Sequence, residues 1–70
     1  MQKRFIFVKD YKCEYGILKK DNTIEINKGF LYYNGGLIEP WWSDYLEKFV
    51  KDEMEHPNYL REIPIIYNKV

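Results

Sequence analysis

The 70-residue sequence has no alanine and one each of cysteine, histidine, serine and threonine. Each scarcity excludes something. The single cysteine, Cys13, rules out a disulfide within the chain, and a lone thiol suits a reducing compartment. One Cys and one His fall short of the roughly four ligands that zinc takes. A Cys13–His56 dyad is formally possible, but Cys13 lies between Lys12 and Glu14 with no activating motif, so it is expected to serve as a small hydrophobe. Asp52 and His56 are spaced i, i+4 beside Glu53 and Glu55, which begins a metal site without completing one; a solvated helix end is expected. Asn34-Gly35-Gly36 lacks the lysine and the following Ser/Thr of a phosphate loop. The residues therefore point away from an enzyme, a metal and a cofactor.

Long apolar runs are also missing. Phe5-Ile6-Phe7-Val8 follows two basic residues and is only four residues long. A signal peptide needs an apolar stretch of about 7–15, and a membrane helix about 18. A soluble, cytoplasmic protein is expected.

Aromatic residues are abundant: two Trp, seven Tyr and four Phe. A single domain of this length has a small core, and large rings that can each bury about 150–250 Å² help to compensate. Phe, Tyr, Met, Ile, Asn and Lys make up half the chain, and arginine occurs only twice. Those six residues have AT-rich codons, which suits a low-GC bacterium or one of its phages. Net charge is zero, but residues 1–38 carry an excess of three positive charges and residues 39–70 an excess of three negative.

Along the chain, Phe5–Val8 reads as a strand covered on both faces. Residues 15–19 and 23–27 are expected to pair as a hairpin around Lys20-Asp21-Asn22, with Ile24 and Ile26 inward. Asn34-Gly35 is the strongest short hairpin signal, because a type I′ turn needs positive φ at both central residues. It sets Tyr32 opposite Leu37 and Leu31 opposite Ile38. Glu39-Pro40 then switches the period to that of a helix, with Pro at its first position and Ser43 as a second candidate cap. Trp42, Tyr45, Leu46, Phe49, Val50 and Met54 form one apolar stripe. His56-Pro57 ends the helix. Residues 57–62 are expected to add a helical turn, and Ile63 to Tyr67 a last strand with Pro64 near its start.

The sum is a single α+β domain over residues 1–70, in the order ββββ(β)αβ. It is a curled antiparallel sheet of about five short strands with one amphipathic helix. The competing architecture is a small SH3-like barrel with the helix as an insertion.

Function is expected to lie in binding to another protein, with an accessory or inhibitory role, or in a homodimer. Adjacent helical residues point about 100° apart, so Trp41 falls off the core stripe that holds Trp42 and is a candidate anchor. Tyr32 or Tyr33 is expected to join it. Asp44, Asp52 and Glu55 complete the expected contact set. The acids at the helix C-terminus oppose the macrodipole, a local cost that a basic partner surface would offset. The alternative is single-stranded nucleic acid bound by the basic strand half. There Lys3, Arg4, Lys9, Lys12, Lys19, Lys20 and Lys28 lie among Tyr11, Tyr15, Tyr32 and Tyr33, although Asp10, Glu14, Asp21 and Glu25 interleave with them.

Overall fold

Phe5 and Phe7 alternate with Arg4 and Ile6 along β1 (Gln2–Phe7), and the two phenylalanines are 3% and 0% exposed. A strand that buries alternate large rings must lie inside a sheet and beneath a second layer. The computed structural model describes residues 2–14 and 16–64, without the side chains of residues 40–42. In it β1 lies between β4 (Thr23–Asn27) and β7 (Leu60–Ile63). β5 (Phe30–Tyr33) and β6 (Gly36–Leu37) extend the sheet to the order β6-β5-β4-β1-β7, with every neighbour antiparallel. The outermost strands, β6 and β7, do not meet. The sheet is therefore open and the barrel alternative is excluded.

The helix α1 (Pro40–Glu55) begins at proline and stops just before His56-Pro57. Its N-cap is Glu39, and Ser43 lies inside the helix with its N–H donated to the Glu39 carbonyl at 2.9 Å. Leu46 and Val50 bury completely against Phe5, Phe7, Ile24, Leu31 and Leu60, while Tyr45 and Phe49 pack half-buried at the flank. Burying each large apolar side chain contributes about 1.5–3 kcal/mol. Met54 departs from the expected stripe: it is 40% exposed, and Glu53 takes the inward position instead. Trp42, the first residue of that stripe, has its side chain outside the described residues.

Glu53 is buried because the returning chain needs an acceptor. Its Oε1 accepts the backbone N–H groups of Asn58, Tyr59 and Leu60 at 2.8, 2.6 and 2.9 Å. These bonds take the place of the helical turn expected at residues 57–62. The last strand starts at Leu60, so Pro64 follows the described strand and does not open it. Residues 65–67 of the expected strand lie outside the described residues.

The hairpin expected between residues 15–19 and 23–27 does not form. β3 (Gly16–Leu18) turns back onto β2 (Tyr11–Cys13) as a separate two-stranded sheet, and Tyr15 lies outside the described residues. Both edges of β4 are taken, by β1 and by β5. The turn itself exists, with Asp21 at φ 73, but it is tied to the end of β1: Asp21 N–H donates to the Phe7 carbonyl and Phe7 N–H to the Asn22 carbonyl, both at 2.9 Å. β1 matches five residues of β4, whereas β3 is only three residues long. The longer, non-local pairing wins because it places Phe5 beside Ile24 in the core.

Candidate protein interface

The helix covers one face of the sheet. Strand alternation and register place the residues of the other face in rows. One row crosses all five strands: Leu37, Tyr32, Glu25, Arg4 and Ile63 are successive cross-strand partners. Phe30 lies two residues before Tyr32 on the same face. Phe30 and Leu37 are 57% and 63% exposed, and Tyr32 is half-buried. The β5–β6 end of this face is therefore an apolar strip at its most accessible edge.

The centre of the row is polar and already satisfied. Arg4 Nε and Nη2 donate to Glu25 Oε1 at 3.1 and 2.9 Å, and Gln2 Nε2 donates to Oε2 at 3.1 Å. The Arg4 hydrogen bonds, and then that of Gln2, hold the Glu25 carboxyl below its usual range. Both carboxylate oxygens have donors, so this centre can be covered without stranding a charge.

The outer face of α1 forms a second surface, on the opposite layer. Asp44, Lys48, Asp52 and Glu55 recur at i, i+4, i+8 and i+11 and are all exposed. Glu47 and Lys51 pair at 3.1 Å, but among the described residues Asp44, Asp52 and Glu55 form no ion pair. Beside them lies a cleft of about 260 Å³ lined by Tyr11, Tyr45, Lys48, Phe49 and Asp52. Tyr11 reaches it from β2, stacks on Phe49 with ring centres 4.2 Å apart, and meets Tyr59 edge-on at 4.8 Å. The Tyr11 and Tyr45 hydroxyls are 2.8 Å apart. Burial, reinforced by the Tyr45 hydrogen bond, pushes the Tyr11 phenol well above its usual value, so it stays neutral.

The structure thus separates residues that the sequence suggested as one surface. Tyr32 lies on the open sheet face, while Asp44, Asp52 and Glu55 lie on the helix layer behind it. Tyr33 is turned inward. Its ring meets Phe7 at 6.4 Å, and its hydroxyl accepts from Asn22 Nδ2 at 2.6 Å and from the Lys19 N–H at 3.3 Å. It holds the 19–22 turn against the sheet. The side chain of Trp41 lies outside the described residues. Phe30 and Leu37 are absent from the expected contact set; parity puts them on the face of Tyr32, since Phe30 alternates with Leu31 and Leu37 is fixed opposite Tyr32 by the Asn34-Gly35 turn, but only the structure shows that the helix covers the other face.

Among the described residues, several members of the basic strand half are engaged within the fold. Lys3 pairs with Glu62 at 3.6 Å, Arg4 with Glu25, and the Lys9 ammonium lies 4.8 Å from the centre of the Tyr59 ring. Tyr11 and Tyr33 are engaged within the fold, and Tyr15 lies outside the described residues. Around α1's C-terminus, Glu53 points inward, and no three potential metal ligands come together among the described residues. No helix there is long and apolar enough to cross a membrane. Comparison with protein-family models, curated proteins and solved structures returned no match.

Proposed function

We propose that the protein acts by docking on another protein through the open face of its sheet, as a small accessory or inhibitory module without catalysis. One observation carries this reading: Phe30, Tyr32 and Leu37 lie together on the face that the helix leaves uncovered, two of them more than half exposed. Covering such side chains is worth about 1.5–3 kcal/mol each, and interface energy concentrates in a few residues of this kind. The Arg4–Glu25–Gln2 centre supplies a polar divider whose charges stay paired when a partner covers it. The scarcity of Ser, Thr, Cys and His favours binding over chemistry, and the lone Cys13 and the AT-rich residue usage favour the cytoplasm of a low-GC bacterium, or a phage of one, as its setting.

The test compares the wild-type chain with a Phe30→Ser/Leu37→Ser double variant as baits in a low-GC bacterial lysate. Circular dichroism should show the same fold for both, because neither side chain belongs to the buried core. A protein retained by the wild type and lost by the variant supports the reading. Identical retention by both baits refutes it. A wild-type dimer that the double variant abolishes in sedimentation would make the partner a second copy of the chain.

A further inference from the structure

We infer that the cavity between the C-terminal end of α1 and β7 binds a small free amine, a primary ammonium carried on an apolar body, with the second carboxylate oxygen of Glu53 as its acceptor. The site lies on the helix side of the sheet, so it stands independently of the open-face reading.

The Glu53 carboxylate carries the argument. The three backbone N–H groups that it accepts all go to Oε1. Among the described residues no donor or cation reaches Oε2. No buried side-chain oxygen there lacks a partner, so Oε2, which has none, is open to solvent. Glu53 as a whole is only 8% exposed, and it lines a cavity of about 310 Å³, which gives that oxygen its opening. A charged oxygen in a sheltered recess favours a guest that brings a charged donor.

The other charges around the cavity do not supply one. Lys3 lies 3.6 Å from Glu62, and the two balance. Arg61 alternates with the buried Leu60 on β7, which places its side chain on the opposite face of the sheet with Ile63. Glu53 is left as the unmatched charge, so the cavity favours a cation over an anion. The Leu60 carbonyl faces the same side of β7 as the N–H that Glu53 holds, and so offers an ammonium a second acceptor.

The rest of the lining is apolar. Phe5 and Leu60 are its buried part, and Met54 and Pro57 are its exposed part. Met54 is 40% exposed, so the protein's own core leaves it for a guest to cover. Mostly apolar walls, a few convergent polar groups and a volume at the lower end of the ~300–1,000 Å³ range are the marks of a small-molecule site.

The experiment titrates the full chain at neutral pH with 2-phenylethylammonium and, separately, with 2-phenylethanol, methylammonium and a capped lysine amide, followed by heteronuclear NMR. 2-Phenylethylammonium should produce saturable shifts at the amides of Met54, Leu60 and Glu62. The alcohol lacks the charge and methylammonium lacks the apolar body, so each should bind about tenfold more weakly. Glu53→Gln keeps a carbonyl for the three N–H groups and puts an NH₂ donor in place of the free oxygen. It should weaken binding about tenfold, with circular dichroism confirming the fold. Met54→Ala, an exposed substitution away from those hydrogen bonds, should weaken binding about threefold, and it decides the matter with the alcohol if the Glu53 variant does not fold. Absence of saturable shifts from 2-phenylethylammonium, the alcohol matching it, a folded Glu53→Gln or Met54→Ala binding like wild type, or tighter binding of the lysine amide would each overturn the assignment.

Discussion

Glu53 accepts the backbone N–H of Leu60 at 2.9 Å, and this bond joins the end of the helix to the beginning of the last strand. The same oxygen takes the N–H groups of Asn58 and Tyr59. A carboxylate near a helix C-terminus opposes the macrodipole, but here three charge-assisted hydrogen bonds outweigh that penalty.

Glu53→Ala should therefore destabilise the chain by about 2–3 kcal/mol, since three backbone donors lose a charged acceptor. Glu53→Gln keeps a neutral acceptor and should lose about half as much. Urea unfolding of the three proteins measures this, and a loss within about 0.5 kcal/mol for the alanine variant would show that the cap does not hold the loop.

The two adjacent tyrosines of β5 should behave oppositely. Tyr33→Phe removes the acceptor of Asn22 Nδ2 and should cost about 1 kcal/mol or more of stability, with partner capture unchanged. Tyr32→Ala should keep the fold and weaken capture. Thermal unfolding and pull-down on the same pair separate the two; a reversal would put the docking strip on the wrong face.

Tyr11 predicts alkaline sensitivity. Its folded phenol titrates above the ordinary value of 10.0, so neutral Tyr11 contributes stability that is fully present below pH 10 and is lost as pH rises through the folded value. Unfolding free energy should fall steeply above about pH 10. Tyr11→Phe should be flatter in that range, at a cost of about 1 kcal/mol near neutrality from the lost Tyr45 bond. Parallel alkaline profiles for the two proteins would rule the relationship out.

Glu25 predicts the opposite edge. Its folded carboxyl titrates below the ordinary 4.5, so its contribution is complete above that pH and disappears as pH falls through the folded value. Because the Arg4 side chain is 43% exposed, the contribution is only about 0.5–1 kcal/mol. Glu25→Gln should match the wild type in acid and trail it by that amount near neutrality, as read from urea midpoints at each pH.

Local signals read well in this chain, and non-local ones did not. Pro40 and Pro57 bracket α1 through backbone sterics alone, and Asn34-Gly35 carries the β5–β6 register through the φ values of 51 and 86 that its turn demands. The partner of β3 was illegible because Asp21 makes a turn whichever strand follows. Only the competition for β4, won by a strand some twenty residues upstream, decides the pairing. Glu53 was illegible because an acid on a helix announces solvent, and nothing in residues 58–60 advertises three donors in search of an acceptor. The candidate surface was half legible: the parity of Phe30, Tyr32 and Leu37 was present in the letters, but which face the helix would cover was not.

The pairing of β1 with β7 has one more consequence. Val8 N–H bonds the Tyr59 carbonyl, so Leu60 and Glu62 direct their main-chain groups away from β1, toward the rim of the sheet. Glu53 already occupies the Leu60 donor, and Pro64 has none to offer. Among the described residues of that rim, Glu62 alone still presents a hydrogen to a passing strand, beside its own negative charge. Such a blunted border resists edge-to-edge strand addition along β7, the route to fibrils.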